Sequence, residues 1–88
     1  MVEQTVVIQN RLGLHARACS VFVKEASKHA AHITVGRDGL EVNGKSILGV
    51  MMLAAELGAE IQLRAEGADE AEALAALVKV VNDKFGEE

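Results

Sequence analysis

The chain has 88 residues, 50% of them hydrophobic and only two aromatic, with a net charge of -4. That length and apolar content suit one domain over residues 1–88, burying roughly 60 to 70% of its unfolded surface. The acidic balance and scarcity of rings exclude a phosphate-tracking or base-stacking surface, so no nucleic acid partner is expected; the longest apolar run, 47–55, falls far short of the ~20 residues that cross a bilayer, so no membrane insertion is expected either.

Residues 2–9 predict a strand, with Val6 and Ile8 on one face and Thr5, Val7 and Gln9 on the other. The segment 1–5 lacks the basic-then-apolar profile of a signal peptide, and the single Cys19 has no partner for an internal disulfide, so a cytoplasmic, reducing setting is expected. Residues 10–14 predict a loop. From 16 to about 28 the apolar positions Cys19, Phe22, Val23 and Ala26 recur at helical spacing, with Lys24, Glu25 and Lys28 outward. Ile33 and Val35, then Leu40 and Val42, alternate with polar residues around Asp38-Gly39, the signal of a tight hairpin. Residues 47–53 predict a short helix closed near Gly58, and Ile61, Leu63 and Ala65 mark a fourth strand. Asp69 is placed to cap a final helix, with Glu72 completing a capping box; Leu74, Leu77, Val78, Val81 and Phe85 form its apolar stripe and Gly86 ends it. The order is βαββαβα. Each strand keeps one wet face, so the expected fold is an α+β two-layer open-faced sandwich, a four-stranded antiparallel sheet with three helices on one face.

The first helix opens with the wrong charge. His15 and Arg17 stand at its start with no acidic neighbour, although a cation in a first turn costs up to about 1 kcal/mol against the helix dipole. An anion arriving there, such as a phosphoryl group on His15, would repair the mismatch: the backbone N–H groups of Ala16 and Arg17 would bind it and the Arg17 guanidinium would grip it. The same residues also fit an ordinary helix start with a solvated arginine, and spacing alone does not separate the two.

Three other features carry alternatives. Cys19, four residues after His15, suggests a thiol nucleophile with a histidine base, yet it also lies on the apolar stripe with Phe22 and Val23 and reads as core. Residues 39–46 spell the phosphate-loop pattern G-x-x-x-x-G-K-S, but Leu40 and Val42 alternate like a strand after a hairpin, which is the wrong context for a nucleotide cradle. Within that stretch Ser46 is placed to cap the short helix. Ile47, Leu48, Met51 and Met52 are more apolar surface than so short a helix buries on one side, which fits either a docking patch with adaptable methionines or a fully covered core. His29 and His32 lack a third ligand, so neither a metal nor a cofactor is expected.

G-L-H-A-R at 13–17, F-V-K-E-A at 22–26 and G-K-S-I-L at 44–48 together resemble the histidine-containing phosphocarrier (HPr) family of the bacterial phosphotransferase system, over essentially the whole chain. The resemblance implies that His15 accepts a phosphoryl group on Nδ1 from enzyme I, drawing on phosphoenolpyruvate, and passes it to IIA domains of sugar permeases, with Arg17 stabilising it. The protein is then a phosphoryl relay with a phosphohistidine intermediate rather than a stand-alone enzyme. It implies Ser46 as a regulatory site for an HPr kinase/phosphorylase and Ile47, Leu48 and Met51 as the partner-binding patch of a monomer. A docking regulator of the same fold without a relay, and a phosphocarrier of the nitrogen-regulation branch, are the alternatives. The chain departs from the family pattern at Ala18 and Cys19, where proline and alanine are usual, which bears on how rigid the helix start is.

Overall fold

A strand whose residues alternate between apolar and polar lies with one face on a core and the other in water. The computed structural model, which describes residues 1–87, has four strands, β1 (Val2–Val7), β2 (His32–Arg37), β3 (Leu40–Asn43) and β4 (Glu60–Glu66); β1, β2 and β4 do this, while in the edge strand β3 Val42 is only half-buried and Leu40 is exposed. They form one sheet in the order β1-β4-β2-β3, every neighbouring pair antiparallel. Val6, Ile33, Val35, Ile61, Leu63 and Ala65 point inward and are buried. The hairpin between β2 and β3 turns through Asp38 and Gly39, both at positive φ (52° and 87°), the backbone twist that a two-residue turn requires.

The inner face is covered by α1 (Ala16–Ala26), α2 (Ile47–Met51) and α3 (Glu70–Asn82). Helix α3 lies across β1 and β4, α1 packs on α3, and α2 sits between α1 and β3. Ala18, Cys19, Phe22, Val23 and Ala26 of α1 and Ala73, Leu77 and Val81 of α3 enter one continuous core. The βαββαβα order and the two-layer α+β open sandwich are those expected from the sequence. Among the described residues no helix is long and apolar enough to cross a membrane.

Three local expectations need correction. Strand β1 stops at Val7, two residues early, because the partner strand begins at Glu60; Ile8 instead pairs with the loop before it, its N–H donating to the Ala59 carbonyl (2.9 Å) and its carbonyl accepting from Gly58 N–H (2.9 Å). Asp69 occupies the N-cap of α3, but its side chain makes no capping bond. Its two oxygens accept from the N–H groups of Ala30 (2.9 Å) and Ala31 (2.8 Å), where the chain leaves α1 and the backbone has no ladder partner. The capping box with Glu72 does not form, and Glu70 takes the Gly67 N–H instead (3.1 Å).

The third correction is at the chain end. Phe85 is not on the stripe of α3, which ends at Asn82, but in a separate tight turn over Lys84–Gly86. Lys84, Phe85 and Gly86 all have positive φ (58°, 57° and 79°). For the two non-glycine residues that conformation costs roughly 1–2 kcal/mol each. The reversal drives the Phe85 ring into the core, where it is 4% exposed, and burying such a ring recovers about 1.5–3 kcal/mol. The turn also sends the last described residue, Glu87, back across the start of α1.

Candidate functional site

His15 is held by its loop before its side chain makes any contact. Gly13 has φ 67°, and a Cβ there would lie 2.5 Å from the Ala55 carbonyl oxygen, so only glycine fits the approach. The next N–H, of Leu14, donates to that same carbonyl (2.9 Å), and the Leu14 side chain is buried. His15 then stands at the N-cap of α1 in extended conformation (φ -77°, ψ 175°), its carbonyl accepting from Cys19 N–H (2.9 Å). Its ring makes no capping bond, and no acidic residue occupies the first turn. The N–H groups of Ala16 and Arg17 lie where a helix has no internal carbonyl to offer them.

The missing negative charge comes from the far end of the chain. Glu87 Oε2 pairs with His15 Nε2, a contact across 72 residues. Its other oxygen, Oε1, accepts from Asn10 Nδ2 (3.0 Å), and the same amide group donates to the Gly13 carbonyl (2.8 Å). Asn10 is the buried polar residue that joins the histidine loop to the chain end; its Oδ1 accepts no bond from a described residue. The Asn10 amide, then His15 and the nearby Arg17 charge, hold the Glu87 carboxyl below the ordinary glutamate value.

That arrangement fixes the chemistry of the ring. An ionised carboxylate is an acceptor only, so Nε2 carries a proton, and in the neutral ring the lone pair then lies on Nδ1. No bond from a described residue reaches Nδ1. The side chain is 27% exposed, open enough for a partner to reach. Beside it, Arg11, Leu12, Arg17, Phe85, Gly86 and Glu87 line an open hollow of about 620 Å³. The structure thus brings together His15, Arg17 and the N–H groups of Ala16 and Arg17, and adds Asn10 and Glu87, which the sequence reading missed. No local signal announces Glu87, because its side-chain partners, Asn10 and His15, lie 77 and 72 residues away.

Cys19 takes no part. It is fully buried and donates to the Leu14 carbonyl (3.4 Å), and burial pushes its thiol up to about 11. A thiol of that kind is inert. Iodoacetamide at pH 7.5 is therefore expected to leave the native protein unlabelled and to label Cys19 once denaturant is added; rapid labelling of the native protein, read by mass spectrometry, would contradict its place in the core.

The stretch 39–46 is divided between a hairpin turn, an antiparallel strand and a helix start, and Lys45 Nζ is spent on the His29 carbonyl (2.7 Å), so nothing there wraps a nucleotide phosphate. Ser46 caps α2, its Oγ accepting from Gly49 N–H (3.0 Å). Helix α2 is not fully covered. Ile47, Leu48, Met51 and Met52 are 44, 72, 38 and 64% exposed, and Val50 alone turns fully into the core. Among the described residues no group of three or more His, Cys, Asp or Glu side chains is arranged to hold a metal ion.

Comparison with known proteins agrees over the whole length. Residues 2–83 match the family model described as the PTS HPr component phosphorylation site. The phosphocarrier protein HPr of Neisseria meningitidis is 49% identical over 87 residues, covering 99% of this chain and 98% of that protein. The crystal structure of HPr-C-His from Thermoanaerobacter tengcongensis superposes with a TM-score of 0.96 at 49% identity, covering 100% of this chain and 99% of that one. A crystal structure of an HPr dimer from the same organism matches with a TM-score of 0.79 at 48% identity, covering 99% of this chain and 100% of that one. With the family's fold in place and the match spanning nearly every residue, the chain belongs to the HPr family of phosphotransferase-system phosphocarriers.

Proposed function

We propose that this chain accepts a phosphoryl group on Nδ1 of His15 from enzyme I, which draws on phosphoenolpyruvate, and passes it to IIA domains of sugar permeases. The observation that carries the reading is the ring itself: Nε2 faces a carboxylate, which in the neutral ring leaves the lone pair on Nδ1, at a helix start that has no acidic residue of its own. A phosphoryl group there carries about -1.5 to -2 charges near neutrality. It would meet the N–H groups of Ala16 and Arg17 and the forked donors of the Arg17 side chain. The relay needs no substrate pocket, because the larger partners supply the rest of the reaction site.

Incubation with phosphoenolpyruvate and a bacterial enzyme I, followed by mass spectrometry, tests this. An acid-labile, alkali-stable phosphoryl group on His15 is expected, and failure to acquire one would defeat the reading.

Ile47, Leu48 and Met51 form the proposed docking patch for enzyme I, the IIA domains and an HPr kinase/phosphorylase. We take the working form as a monomer, since one exposed face must meet several partners in turn. Met51→Asp is expected to raise the KM for enzyme I about tenfold while kcat and the melting temperature change little, because Met51 is exposed and a buried charge at a docking surface is costly. An unchanged KM would remove Met51 from the interface. Ser46 is the proposed regulatory site: a phosphate beside Ile47 and Leu48 would oppose docking through its charge and hydration.

A further inference from the structure

We propose that Glu87 is a positioning residue for phosphoryl transfer, holding the His15 ring by Nε2 and balancing the positive charge the ring gains when Nδ1 bonds to phosphorus. The proposal rests on His15 being the acceptor.

The charge arises from the atom balance of the step. The Nδ1 lone pair forms the N–P bond while the bond from phosphorus to the donor's leaving group breaks, and that group departs with its electron pair. No proton leaves the ring. Nε2–H stays in place, so the ring of the phosphorylated residue carries one positive charge. On transfer onward the N–P electron pair returns to Nδ1 and the ring is neutral again, with the same proton on the same nitrogen. A carboxylate at Nε2 suits both directions, since it keeps the proton there and faces the charge where it develops. The aspartate that backs a catalytic histidine acts in the same way.

Two features of the molecule are spent on putting Glu87 in this position. One is the reversal through Lys84, Phe85 and Gly86, three consecutive residues at positive φ of which two are not glycine. Strain of that kind persists only where the surroundings enforce it, and here the buried Phe85 ring does so. The other is Asn10, a fully buried amide that commits one donor to the Gly13 carbonyl of the histidine loop and one to Glu87, leaving its own Oδ1 without a bond from a described residue. A buried acceptor in that state is unfavourable. Both arrangements make sense if the distance between the loop and the chain end is what matters. Glu87 also lines the same hollow as Arg17, so the carboxylate sits beside the cation that would grip the phosphoryl group.

The test uses the intact chain with Glu87→Ala and Glu87→Gln, alongside wild type and His15→Ala. Enzyme I-driven phosphorylation is followed at varied carrier concentration. The Nε2 proton of the phosphorylated ring is followed by nitrogen-15 NMR. Expected results are a kcat about tenfold lower for Glu87→Ala with KM unchanged, an intermediate kcat for Glu87→Gln, which keeps an acceptor oxygen but not the charge, and loss of the slowly exchanging Nε2–H signal in Glu87→Ala. Melting curves establish that both variants are folded at the assay temperature. An unchanged kcat in both variants overturns the proposal, and so does a raised KM at constant kcat, which would make Glu87 a docking residue. If His15→Ala still accepts the phosphoryl group, the acceptor assignment itself is wrong, an outcome separable from any result at Glu87.

Discussion

His15→Ala is expected to fold normally and to accept no phosphoryl group from enzyme I. The fold survives because the ring does not cap α1 and is not part of the core; its bond is to Glu87, while the helix start is held by the His15 carbonyl, which alanine retains. Loss of the half-buried contact with Glu87 should cost about 0.5–1.5 kcal/mol, too little to unfold the domain. Acceptance is lost because no other nucleophile among the described residues shares the start of α1: Cys19, one turn on, is buried with its thiol pushed up to about 11, and His29 and His32 lie beyond the other end of the helix. Arg17→Ala should slow acceptance without abolishing it, since the N–H groups of Ala16 and residue 17 are still there to meet the phosphoryl oxygens. Mass spectrometry and the initial rate of phosphorylation check both. A His15→Ala protein charged at the wild-type rate would end the relay reading.

Phe85→Ala is the substitution with the largest expected effect on stability. The ring is 4% exposed and closes the end of the core against α1 and α3. Truncating a buried phenylalanine costs about 3–5 kcal/mol, a large share of the roughly 5–15 kcal/mol that holds a domain together. Relief of the positive φ at Phe85 offsets only part of this. For a chain of this size the melting temperature should fall by about 15–30 °C. Phe22→Ala, at a ring 1% exposed in the middle of α1, should cost a similar amount. The two differ at the site. With Phe85 gone nothing enforces the reversal that carries Glu87, so at a temperature where both variants are folded, Phe85→Ala should show the reduced kcat of Glu87→Ala and Phe22→Ala should not. Equal kcat values in the two core variants would show that Phe85 is packing alone.

The architecture was legible because it is written in short-range patterns. Alternation at 33–35, 40–42 and 61–65 and helical spacing at 19–26 each report which face is buried, and a sheet wet on one side leaves only the other for helices. The start of α1 was legible as unusual through the misplaced charges of His15 and Arg17, whereas the tight approach at Gly13 was not. What did not show was every interaction that depends on distant segments meeting. Asp69 looked like a helix cap by position, yet its carboxylate serves two backbone N–H groups nearly forty residues earlier. Phe85 fitted the helical stripe of α3 by spacing, and only the core's shape shows that the chain must reverse to bury it. The exposure of Leu48 and Met52 likewise follows from how α2 sits beside α1, which its composition does not state.

The contact between His15 and Glu87 closes a loop of 72 residues. In an unfolded chain, the length-dependent entropy of closing such a loop is roughly 4 kcal/mol, which a single partly buried hydrogen bond cannot overcome alone. The pairing is therefore a reporter: it exists only while the sheet and α3 bring both chain ends to the same side. A chain that has begun to unfold would present a histidine without its carboxylate, so under the role proposed for Glu87 its capacity to accept a phosphoryl group falls with its folding.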